Sequence, residues 1–189
     1  VENILIVLPS SPYKSVGDIL DAARRKPGGL NYGSAGVGTS NHLSAAILAT
    51  LTGAPLNHVP YKGSAPALTD LLGGTIDFMF DTRSGVGPQI DSGRLRAIAH
   101  TAPHRLPDYP DLPTVAETVP DYAVLGWNAL VAPAGLPPQI ERRLSDALRK
   151  YTTSPEFVRK LKELGTRVDY KDGAALRSMI QQETVRWEP

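Results

Sequence analysis

Apolar positions along the first hundred residues alternate between two rhythms. Ile4 to Leu8 is a continuous, largely β-branched run, which fits a strand buried on both faces, and Pro9 stops it. Ser15 followed by Asp18 forms a capping-box pattern. Ile19, Leu20 and Ala23 then make one apolar helix face, which ends at Pro27-Gly28-Gly29. The rhythm repeats: Leu30 to Ser34 predicts a strand, Ala35 to Gly38 a turn, and Thr39 to Thr52 a helix with Leu43, Ile47 and Leu51 on one face. Asn57 to Val59 predicts the next strand, and Ser64 is expected to cap a helix through Leu68, Leu71 and Leu72. Ile76 to Asp81 predicts a strand, Val86 to Ser92 a short helix, and Leu95 to Thr101 a further strand. Strands alternating with helices imply an α/β fold with a mainly parallel sheet flanked by helices.

The texture changes after that point. Prolines at 103, 107, 110, 113 and 120 predict an extended connection between two lobes. Val124 to Val131 then reads as a strand. Ile140, Leu144, Leu148 and Tyr151 mark a helix, Ser154-Pro155 starts another, and Arg167 to Asp169 reads as a short strand. Leu176, Ile180, Glu183 and Trp187 lie along a last helix. This tail carries three predicted helices but at most two strands, which is thin for an independent domain.

Composition narrows the function. With 20 Lys+Arg against 19 Asp+Glu, the 189-residue chain has a net charge of +1, so an anionic partner must be caught locally and not by a bulk field. The basic clusters Arg24-Arg25-Lys26, Arg142-Arg143 and Arg159-Lys160 have acids nearby and read as solvated helix faces; no nucleic-acid partner is expected. No cysteine means no disulfide frame, thiol nucleophile or Cys-held zinc. No apolar run approaches the roughly 20 residues a membrane-spanning helix needs. The chain opens Val1-Glu2-Asn3 and enters its first strand at once, so a leader is expected to be absent or already removed.

The chemistry concentrates in Ser34-Ala35-Gly36-Val37-Gly38-Thr39-Ser40. Small residues between a strand and a helix let backbone N–H groups converge, and the helix start adds unpaired donors and the positive end of its dipole. This is an anion seat, to which the hydroxyls of Ser34, Thr39 and Ser40 are candidate additions; a capped turn without a ligand reads equally well. His42 reads as a first-turn residue bonding backbone or ligand. Tyr61 fits either packing on the next helix or touching a ligand. Asp81 closes a buried run, so its carboxylate needs a partner: a neighbouring loop, a helix start, or a ligand amine or hydroxyl.

Several chemistries are excluded. Gly36-x-Gly38 is followed by Asn41 where a dinucleotide fingerprint needs Gly or Ala, and no ribose-binding acid follows. There is no Gly-Lys-Ser/Thr, no G-x-S-x-G and no H-E-x-x-H among His42, His58, His100 and His104. No cofactor, metal site or catalytic group is expected.

The strings Leu30-Asn31-Tyr32-Gly33-Ser34-Ala35-Gly36-Val37-Gly38-Thr39-Ser40-Asn41-His42-Leu43 and His58-Val59-Pro60-Tyr61-Lys62-Gly63-Ser64, with Ile76 to Asp81, Gly93 to Ala99, Leu112 to Glu117 and Ala132-Pro133-Ala134-Gly135, carry a resemblance over nearly the whole chain. In these the chain resembles the substrate-binding proteins of tripartite tricarboxylate transporters, the Bug or TctC-like periplasmic receptors. The resemblance implies two α/β lobes closing on a small carboxylate of one of these classes: a di- or tricarboxylate, an acidic amino acid or an aromatic carboxylate. It also implies delivery to a membrane permease, a periplasmic location and no enzyme activity. It makes Ser34 to Ser40 the carboxylate-holding loop, with Tyr61 and Asp81 on the same wall, while Asn41 and Thr82 depart from the residues common there. The resemblance makes residues 1–121 the complete second lobe and 122–189 the C-terminal part of the first, whose N-terminal half is expected to precede Val1; this leaves the apolar faces of 122–189 open to dimerisation or swapping. The alternatives are an enzyme holding a phosphate-bearing cofactor at Gly36–Gly38, and a fold that has lost its pocket.

Overall fold

The computed structural model describes residues 1–187. Five strands form one sheet: β1 Asn3–Val7, β2 Leu30–Ser34, β3 Leu56–Pro60, β4 Phe78–Thr82 and β5 Arg96–His100, in the order β3-β2-β4-β1-β5. The interleaved helices are α1 Val16–Arg25, α2 Ser40–Thr52, α3 Ser64–Leu72 and α4 Arg83–Asp91. The mixed α/β sheet flanked by helices agrees with the sequence reading, with one refinement. β2 is parallel to β3 and β4, whereas β1 is antiparallel to both β4 and β5. The shared carboxyl edge therefore belongs to β2, β3 and β4, the strands that lead to the Ser34–Ser40 loop, to Tyr61 and to Asp81.

Period-two alternation sorts the central strands between two layers. On one face Ile4, Ile6 and Met79 pack with Ala67 and Leu71 of α3 and Val86 of α4. On the other, the in-register partners His58, Tyr32 and Phe78 form a row of stacked rings, with centroids 5.1 and 5.8 Å apart. α2 lies on this side: Asn3 of β1 donates to the Ser44 hydroxyl at 3.0 Å, and His42 approaches the ring row. Each fully buried Leu, Ile or Phe here contributes about 1.5–3 kcal/mol.

Caps follow the sequence except at α3. Ser15 and Asp18 make both capping-box bonds, and the Thr39 hydroxyl accepts from the His42 amide to start α2. Ser64 does not cap α3; it is the first helical residue, and Gly63, without a side chain to offer, holds the cap position. Its φ of +110° supplies the turn that precedes the helix.

The proline-rich stretch is not an open connection. Ala102, Val115, Val119, Tyr122 and Val124 are buried, the His100 amide donates to Pro113 O, and Thr114 with Glu117 closes a capping box around a single 3-10 turn, Val115–Glu117. Prolines deny this segment a long helix without denying it burial. Arg105 grips Glu117 through two bonds of 2.8 Å, and that grip, with the Thr114 amide, holds the Glu117 carboxyl down to about 2.

The chain forms two compact units, Val1–Trp127 and Asn128–Pro189. Residues 122–127 go with the first because Val124 N donates to Thr101 O, and Gly126 exchanges bonds with Val1. The second unit contains α5 Pro138–Thr152, α6 Pro155–Glu163 and α7 Gly173–Trp187. Neither Val124–Val131 nor Arg167–Asp169 is a strand; Leu125 makes one isolated bridge to Glu2. A strand needs a continuous ladder, and a single bridge does not make one. Trp187 ends α7, and its side chain lies outside the described residues.

Candidate functional site

The loop between β2 and α2 doubles back at two glycines. Gly36 has φ +136° and Gly38 φ +80°, and a Cβ on Gly36 would stand 3.5 Å from Tyr61 O. The Tyr61 amide donates to Ser34 O and the Gly63 amide to Ala35 O, so the loop after β3 braces the loop after β2.

Hydroxyl roles differ from the sequence expectation. Ser34 is fully buried, and its Oγ lies 3.1 Å from both the amide and the carbonyl of Gly36 and 2.6 Å from His58 Nε2. Thr39 Oγ1 donates to Gly36 O at 2.7 Å and accepts from His42 N. Both hydroxyls are thus turned inward to shape the loop and are not available as donors to an anion. The Gly38 amide donates to His42 Nδ1 at 3.3 Å, so the His42 ring is also engaged with the loop. Among the described residues, no acceptor meets the amides of Ala35, Val37, Ser40 or Asn41, and the Ser40 hydroxyl makes no hydrogen bond. Those five groups are the open donors. Val37, 76% exposed, presents an apolar side chain beside them.

Tyr61 takes the packing alternative. Its OH donates to Asp70 of α3 at 2.6 Å, and burial first, then this carboxylate, push its hydroxyl up to about 12. Lys62 is exposed. Asp81 is buried under the first turn of α2, where Oδ1 accepts from Asn41 Nδ2 at 3.0 Å and from the Thr82 amide at 2.7 Å. Its Oδ2 has no hydrogen-bond partner among the described residues and faces Gly85 of α4, where an added Cβ would come within 3.3 Å.

Two residues matter more than their sequence context indicated. Asn41 is buried, and it ties α2 to β4 by donating to Phe80 O at 2.8 Å as well as to Asp81. A polar residue in a helix first turn gives no sign of this, because its partner lies forty residues away. His58 stacks on Tyr32, sits 4.0 Å from His42 by ring centroids, and meets Ser34. Burial, and then His42, push its imidazole below the ordinary value. No His/Asp/Glu cluster among the described residues is arranged to hold a metal.

Comparison with known proteins places these features in context. A family model described as tripartite tricarboxylate transporter family receptor matches residues 1–189. The UPF0065 protein in the tcbD-tcbE intergenic region of Pseudomonas sp. (strain P51) is 37% identical over 188 residues, covering 98% of this chain and 56% of that protein. A solved structure of R. palustris Rpa4515 with adipate superposes with a TM-score of 0.91 at 34% identity, covering 99% of this chain and 63% of that one. MatC (Rpa3494) from Rhodopseudomonas palustris with bound malate gives 0.88 at 28% identity, covering 99% and 65%. The chain spans little more than half of that curated relative and under two thirds of either structure.

Proposed function

Because the chain belongs to the tripartite tricarboxylate transporter receptor family, we propose that its β2–α2 loop holds one carboxylate of a small dicarboxylate for delivery to a membrane permease in the periplasm. Membership of a substrate-binding family sets aside the enzyme alternative at Gly36–Gly38. One observation supports the carboxylate reading above the others. The amides of Val37, Ser40 and Asn41 and the Ser40 hydroxyl stay unpaired around the start of a thirteen-residue helix, while the Gly36 and Thr39 amides and the Thr39 hydroxyl are bonded within the loop and the Gly38 amide to His42. Converging N–H groups and a helix dipole favour a carboxylate and have no use for a cation. The neighbours solved with adipate and malate carry ligands of that class. Val37 offers apolar contact to a hydrocarbon spacer, which favours a dicarboxylate over a bare anion.

Magnitudes set the affinity of this 189-residue chain. Micromolar binding needs about 8 kcal/mol. Two or three charge-assisted bonds supply roughly 3–9 kcal/mol gross, against an association cost of about 4 kcal/mol or more. The expected dissociation constant is millimolar or weaker. Isothermal titration with adipate, malate, citrate and glutamate, with NAD and ATP as controls, tests this. Binding of a dicarboxylate alone supports the reading, whereas binding of a nucleotide alone contradicts it.

A further inference from the structure

We infer that His58 is a positioning residue for the β2–α2 loop, fixing through Ser34 the direction in which its open amides point. This rests on the carboxylate-loop reading. It adds a residue from a different strand that has no need to touch the ligand.

Ser34 Oγ carries a single proton. That oxygen accepts the Gly36 amide at 3.1 Å, leaving its proton two acceptors, Gly36 O at 3.1 Å and His58 Nε2 at 2.6 Å. Gly36 O already receives the Thr39 hydroxyl at 2.7 Å. It also receives the Thr39 amide at 3.4 Å, so giving the Ser34 proton to His58 uses the shorter contact and leaves Gly36 O to Thr39. This assigns His58 as a neutral ring protonated at Nδ1, an assignment made from the network. A neutral ring agrees with burial and His42 both acting against its charge. The imidazole is in turn held on two sides, by Tyr32 at 5.1 Å and by His42 at 4.0 Å between centroids, and His42 Nδ1 accepts from Gly38. The two glycine turns are thus anchored to two touching imidazoles, one on β3 and one on α2. Gly36 and Gly38 have no side chains with which to fix their own conformation, so these anchors set where the Val37 and Ser40 amides lie.

Three ligand-free measurements and one titration test this. Long-range 1H–15N spectra of the unmodified chain are expected to show His58 unprotonated at Nε2 and protonated at Nδ1; the reverse tautomer overturns the assignment. His58→Phe keeps a ring against Tyr32 but leaves the buried Ser34 hydroxyl without that acceptor. It is expected to speed hydrogen exchange at the Gly36 amide roughly tenfold, with far-UV circular dichroism unchanged. His58→Gln, which returns an amide near the Nε2 position, is expected to restore slow exchange. Wild-type exchange in His58→Phe, or failure of His58→Gln to restore it, overturns the proposal. In parallel, adipate affinity is expected to weaken in His58→Phe and recover in His58→Gln. If the unmodified chain binds no carboxylate, the functional reading fails while the tautomer and exchange results still decide the role of His58.

Discussion

Gly38 holds φ +80° in open space, so adding a Cβ there costs about 1–2 kcal/mol through backbone strain alone. Ser34, four residues earlier, reads from sequence as a ligand donor, yet it is buried and bonded to Gly36 and His58. Residue type identified the loop, and only the three-dimensional partners separated donors that face out from donors that face in. The same local chemistry carries a pH dependence. The folded His58 imidazole lies below its ordinary value, so the unfolded chain binds more protons than the folded one as pH falls. Its contribution to stability is complete above the ordinary imidazole value and is lost as pH falls through that value towards the depressed one. Glu117, held at about 2, and Asp18, lowered by the Lys14 amide first, act in the same direction at far lower pH. Urea unfolding between about pH 7 and about pH 5 should show stability falling with acidity, and His58→Phe should flatten that slope. An equal slope in the variant would place the titration elsewhere.

At the level of elements, the segments with strong periodicity were legible. Ile4 to Val7, Ile19 to Ala23 and the Ser15–Asp18 cap appear as the pattern dictates, because buried faces and caps are local decisions. The direction of β1 was not legible, since an apolar run buried on both faces fits a parallel or an antiparallel neighbour equally well. Residues 103–120 misled for a related reason: five prolines exclude a long helix, but Val115 and Val119 are buried just after Thr114 bridges His100 at the edge of β5. Within the site, the β2–α2 loop was readable from its glycines and hydroxyls. The Asn41–Asp81 and Ser34–His58 pairs were not, because each joins strands or helices far apart in sequence.

For the whole molecule, the second unit stands out. Ile140, Leu144, Tyr151, Val158, Leu164 and Val185 are exposed, several on the faces that the sequence marked as apolar. Exposed apolar faces of this kind are covered by association, so the 189-residue chain is expected to dimerise or form larger species with increasing concentration. Multi-angle light scattering checks this, and a monomer at every concentration would contradict it. The central claim, that backbone donors at the start of α2 receive a carboxylate, is tested most directly by titrating the 15N-labelled chain with adipate and with its diamide. The account predicts saturable shifts of the Val37, Ser40 and Asn41 amides with adipate and none with the diamide. Shifts confined to other residues, or equal shifts with both compounds, would contradict it.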